Sequence, residues 1–371
     1  MIIIFTGILL IIYSILAREL KCYKLSIGFM FAFIIMAFQS NDQGYYMEYM
    51  KSFGSGESMT MEDEPLWVFL QIPFYPFGWQ AFIIALTAFE VWVVYKLTKL
   101  YAPKNYQYVG AIIFFFTFGM MLIQMKALRQ GIAIELCLLP FLLNIKKKKT
   151  LVKHIATCYG PVILAFFIHN SAMIGIIPAT ILFLMCQKDW FNNYNSQKRK
   201  EWFWPIVITG AFIVLYYLKQ TVFSGLFVTI SEIMTVNEMR LGNYLIADQE
   251  EGIFDISWLI VMYDAVMVFL GTWYLIKSQN IIRILALMAI ISFFSDMLFF
   301  GMGSLPRIGY YFTIANIAVI PGILNLIQNR FGKKIAFIFL VFCIGYAVKT
   351  SLPWMTGIGD DRFGSYKFIF L

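Results

Sequence analysis

Charge is scarce in this chain. Asp, Glu, Lys and Arg make up 13% of its 371 residues, whereas 60% are hydrophobic and 18% aromatic. A soluble domain carries about 25% charged residues, so a water-soluble globular fold is excluded. The mean hydropathy of +0.74 points instead to an integral membrane protein. Histidine is scarcer still, and the two present, His154 and His169, cannot build a histidine-rich metal centre. The five cysteines, Cys22, Cys137, Cys158, Cys186 and Cys343, show no paired spacing, which speaks against a disulfide framework or a zinc site. Gly- or Ser-rich linkers, low-complexity runs and internal repeats are also missing, so residues 1–371 read as one polytopic transmembrane domain. The first apolar segment has neither a basic leader nor a small-residue cleavage site and reads as a retained helix.

Long apolar runs are plentiful. Crossing a bilayer takes about 20 residues of helix, and the runs predict an all-α protein of about twelve transmembrane helices. These cover 1–17, 24–40, 79–97, 107–125, 127–145, 151–168, 170–187, 204–219, 254–276, 281–301, 307–328 and 334–349. The stretch "PLWVFLQIPFYPFGW", broken by Pro73 and Pro76, is too short to span and predicts an interfacial or re-entrant piece. The excess of +8 charges does not indicate nucleic acid, because the basic residues lie in short loops between spans. Twenty of the 29 lysines and arginines fall on one set of alternate loops, including Lys146–Lys149. The richer side is expected to be cytoplasmic. The two long loops, 39–79 and 219–254, and the C-terminal tail then lie outside.

With that orientation the unusual polar residues gather at the outer surface. Asp42 and Tyr46 open the first outer loop and Glu64 closes it. Lys126, Arg129 and Gln130 head the fifth span, at a spacing expected to place them on one helix face. His169 sits in the short turn "FIHNSAM", Arg240 in the second long loop, and Arg307 after "GMGSLP". Arginine grips phosphate oxygens through a fixed fork of donors, and a histidine or carboxylate can take a proton from a sugar hydroxyl. Each residue also has a structural reading. Arg129 can snorkel to headgroups, His169 can be a satisfied turn residue, and Glu64 can serve as an anion at a helix start. Glu90, Glu135, Asp264 and Asp296 lie within spans, where each needs a partner.

The segments "NDQGYYMEY", "EPLWVFL", "ALRQGIAIEL", "FFIHNSAMI" and the closing "YKFIF" together resemble the EpsG-type Wzy polymerases, which polymerise bacterial exopolysaccharide, capsule or O-antigen repeat units. The stretch "FQSND" lacks the arginine that such proteins commonly carry before the first-loop aspartate. The resemblance implies a glycosyltransferase in the bacterial cytoplasmic membrane, acting outward on undecaprenyl-diphosphate-linked glycans. It needs no cofactor and no metal, works within the lipid bilayer, and has a chain-length regulator as a candidate partner. Carried onto this sequence, His169, Glu64 and Asp42 are the catalytic candidates. Arg129, Gln130, Lys126, Arg240, Arg307 and Tyr46 are the substrate-binding candidates. Other readings stay open: a GT-C-like transferase using a lipid-linked sugar, a flippase for the same lipid-linked oligosaccharide, and an O-acyltransferase resting on His169.

Overall fold

The computed structural model describes residues 2–40, 53, 64–144, 150–187, 201–219, 258–299, 306–356 and 367–368. Apart from one two-residue antiparallel bridge, the regular structure among them is helical. In chain order the helices are α1 (Ile2–Glu19), α2 (Leu25–Ala37), α3 (Pro65–Gln71), α4 (Trp79–Tyr101), α5 (Gln107–Phe116), α6 (Ile123–Lys126), α7 (Leu128–Leu143) and α8 (Leu151–Phe166). They continue with α9 (Ile176–Gln187), α10 (Phe203–Leu218), α11 (Trp258–Lys277), α12 (Asn280–Phe299), α13 (Pro306–Thr313), α14 (Asn316–Phe331) and α15 (Lys333–Thr356).

Each of the twelve predicted spans falls on helix, but the count of twelve is not reproduced. Among the described residues six helices are long and apolar enough to cross a membrane, and eight if each bent pair is one span. The shortfall is length. Helix α2 has 13 residues, α7 has 16, α9 has 12 and α10 has 16. At 1.5 Å per residue, 16 residues reach about 24 Å, short of a hydrocarbon core of about 30 Å. The membrane reading itself is supported by apolar side chains left outside the packing, such as Phe5, Ile12 and Leu16 on α1 and Phe337, Ile338 and Val341 on α15. In water such rows would be costly; against lipid tails they are at home.

Residues 1–189 with 316–371 form one compact unit, and residues 190–315 form another. In the first, α4 packs on α2 and α7, and α8 packs on α7. The Gln80 side-chain amide donates to the Ala37 carbonyl at 2.5 Å, tying the start of α4 to the end of α2. Gln39 and Ser40 pair with Phe368 and Lys367, so the closing "YKFIF" segment returns to the start of the first long loop. In the second unit α11 packs against α10 and α12. There Glu201 accepts from the Trp273 indole and pairs with Lys277, each at 3.0 Å.

The expected interfacial piece is present as α3 followed by a 3-10 turn, Ile72–Phe77. Proline stands at the first helical position of α3, where its missing N–H costs nothing. Gly78, at φ 82°, turns the chain into α4 in a conformation that favours glycine. Trp67 and Leu70 of α3 pack with Phe82, Leu86, Leu128, Ile132 and Ile168. That apolar cluster draws α3, α4, α7 and the end of α8 together at one place.

Candidate functional site

The cluster fixes three polar residues because each is close in sequence to a packed one. Leu128 precedes Arg129, Ile168 precedes His169, and Trp67 lies one turn after Glu64. Two further features set the local backbone. Ala127 leaves helical geometry at φ −118° and ψ 66°, so α6 stops at Lys126 and α7 starts afresh, with Arg129 in its first turn. Helix α8 ends at Phe166, and His169, in extended conformation at φ −157°, leads into the 3-10 turn Asn170–Gly175. The Leu66 amide donates to the Phe167 carbonyl at 3.1 Å, pinning the start of α3 beside that turn.

Glu64 is where these pieces meet. It stands at the N-terminal cap of α3 but makes no side-chain cap bond there. Its carboxylate turns instead to two other segments. Oε2 accepts from Arg129 Nη1, and Oε1 accepts from His169 Nδ1–H at 2.7 Å. The Asn170 amide also reaches it. The Glu64 side chain is 7% exposed, against 30% for Arg129 and 26% for His169. Burial pushes the carboxyl upward, but the histidine hydrogen bond, the charges of Arg129 and His169 and the Asn170 amide together hold Glu64 below the usual carboxylate range.

The tautomer follows from the charge. An ionised carboxylate only accepts, so His169 must carry its proton on Nδ1. In the neutral ring the lone pair is then on Nε2, on a side chain that stays partly open. The arrangement can remove a proton: a base, an anion that fixes it, and a cation that keeps that anion ionised.

Of the sequence-named residues the structure therefore joins Glu64, His169 and Arg129. Gln130 is buried beside them in the first turn of α7, while Arg129 is half-buried. The expected shared face of Lys126, Arg129 and Gln130 is corrected: Lys126 ends α6, and the break at Ala127 removes it from the helix carrying the other two. Arg307 is the second residue of α13, in the other unit, where it lies near Tyr310. Asp42, Tyr46 and Arg240 lie outside the described residues. The ion pair between Arg129 and Glu64 spans 65 positions, and no local pattern announces it. A second buried group, Glu90, Gln124 and Glu135, also went unjoined in the sequence, although Gln124 interrupts the apolar run "MMLIQM".

No curated protein and no solved structure matches the chain. A family model does, over residues 22–356, and this covers every segment of the site described above. The family is one of Wzy-like polysaccharide polymerases, and membership implies a polymerase-type role. The chain belongs to the EpsG family.

Proposed function

We propose that the chain polymerises undecaprenyl-diphosphate-linked oligosaccharide repeat units at the outer face of the bacterial cytoplasmic membrane, as a glycosyltransferase. The observation that carries the reading is the single carboxylate, Glu64, shared by His169 and Arg129. His169 Nε2 takes the proton of an acceptor sugar hydroxyl as the oxygen attacks the anomeric carbon of the growing chain. The bond from that carbon to the lipid diphosphate breaks, and the diphosphate leaves with the electron pair. Arg129 presents further guanidinium N–H groups toward the leaving diphosphate, in a fork that a point charge cannot reproduce. The family resemblance of the sequence is what suggests substrate-binding roles for Gln130, Lys126, Tyr46, Arg240 and Arg307 and a catalytic role for Asp42. Cationic side chains neutralise charge on the leaving group.

The test is the length distribution of glycan on the lipid carrier in cells lacking the protein. Single repeat units accumulating at the outer surface support polymerisation. Repeat units trapped inside would favour the flippase reading, which draws on the carboxylates within predicted spans, Glu90, Glu135, Asp264 and Asp296. An unchanged ladder of products refutes both. Orientation is tested separately with an impermeant thiol reagent in intact cells. Cysteines introduced at Ser55 and Gln249 are expected to react and one at Lys148 to stay silent; the reverse pattern overturns the outward-facing site.

A further inference from the structure

A second polar cluster lies farther along α7 and takes no part in the Glu64–His169 pair. Glu90 of α4 and Glu135 of α7 are fully buried, and Gln124 of α6 is 1% exposed. Glu90 and Gln124 meet at Gly131, where a Cβ would lie 2.6 Å from Glu90 Oε1 and 3.0 Å from the Gln124 Cα. Glycine is what lets the carboxylate of α4 reach the surface of α7. The Gln124 amide nitrogen donates to Glu135 Oε1 at 2.5 Å. Among the described residues both oxygens of Glu90, the second oxygen of Glu135 and the amide oxygen of Gln124 accept from nothing. Glu135 stands close enough to act electrostatically on Glu90. Four acceptors without donors thus lie buried in one apolar neighbourhood, carrying two formal negative charges, and among the described residues no basic side chain pairs with either carboxylate.

Acceptor oxygens without donors are what a positive ion satisfies. We propose that Glu90, Glu135 and Gln124 form a binding site for one hard divalent metal cation, held between α4, α6 and α7. The donor set is all oxygen, which suits magnesium, manganese or calcium rather than a thiophilic metal. Two carboxylates against a charge of +2 leave the buried site neutral, the state an apolar environment demands. The site also lies near an interrupted helix, the break at Ala127, and secondary transporters typically hold their coupling ions at interrupted helices. The ion would clamp α4 and α6 to the helix that carries Arg129 in its first turn. The proposal rests on burial and donor chemistry alone and does not depend on the reaction at Glu64.

The experiment uses the full chain purified in nanodiscs and stripped with a chelator. Its thermal midpoint is followed against magnesium, manganese and calcium chlorides, with sodium and choline chlorides at matched ionic strength. A saturable rise with at least one divalent ion is expected, with one metal ion per chain by elemental analysis. The rise should vanish in Glu90→Gln, and in Gln124→Leu it should need a higher ion concentration. A stripped wild-type protein indifferent to every divalent ion overturns the proposal, and Glu90→Gln and Glu135→Gln variants at least as stable then show that the carboxyls carry protons. A rise of equal size in Glu90→Gln puts the ion elsewhere and overturns it too.

Discussion

Glu64→Gln separates the site's chemistry from its packing. The substitution keeps the shape but removes the charge that Arg129 and His169 share. A carboxamide still accepts one N–H from Arg129 through its oxygen. Its nitrogen can only donate, so toward His169 Nδ1 it demands a lone pair where wild type has a proton. The ring proton is then driven to Nε2, and the base that faces the acceptor hydroxyl is lost. A charge-assisted hydrogen bond contributes about 1.5–3 kcal/mol; the amide makes the bond to His169 a neutral one and leaves the Arg129 cation without its counter-charge, so the structural cost is about 1–3 kcal/mol. The catalytic cost is larger, because losing a positioned general base lowers rate by about 10²–10⁴-fold. The assay is glycan chain length and rate of lipid-linked product formation with the variant at wild-type abundance in the membrane. Folded protein with almost no polymer is the expected result. Normal polymer from Glu64→Gln refutes the histidine-base mechanism. Protein that is merely absent from the membrane is resolved by His169→Asn, which leaves Glu64 its hydrogen bond to a side-chain N–H but supplies no base, and must show the same loss.

Arg129→Lys keeps the ion pair to Glu64 through one ammonium but loses the fork. Polymer should be severely shortened, and full-length product would return Arg129 to a purely structural or headgroup role. Gly131→Ala forces a methyl against Glu90 Oε1 and the Gln124 backbone. A loss of about 1–3 kcal/mol is expected for overpacking of this kind, seen as a lowered thermal midpoint; an unchanged midpoint would show that α4 and α7 are not packed as described. Glu64 has a depressed pKa when folded, so its contribution to stability is complete above the unfolded value of about 4.3 and is lost as pH falls through the folded value. Thermal unfolding of the purified protein, followed from above the unfolded value down into acid below it, should show this component being lost in wild type and lack it in Glu64→Gln; matching profiles would refute the assignment.

The membrane class and the helical segments were legible in the sequence because both depend on local composition. A long run of apolar residues is most readily satisfied in lipid as a helix, and among the described residues every predicted span accordingly carries a helix. The site residues were legible as a list, since Glu64, Arg129 and His169 are polar groups placed where an apolar chain has no packing use for them. Their relation was not. Glu64 reads as an anion at a helix start until the Trp67, Leu128 and Ile168 cluster brings α7 and the end of α8 to it, and the carboxylate then satisfies two distant donors rather than its own helix. The Lys126–Arg129 spacing suggested a shared face only because the period assumes a continuous helix, which the backbone break at Ala127 interrupts. Glu90 and Glu135 likewise each appear as an isolated cost in the sequence. Only packing at Gly131 brings Glu90 against the helix that carries Glu135, because the meeting of α4 and α7 is decided by which helix faces pack, and a linear pattern does not encode that.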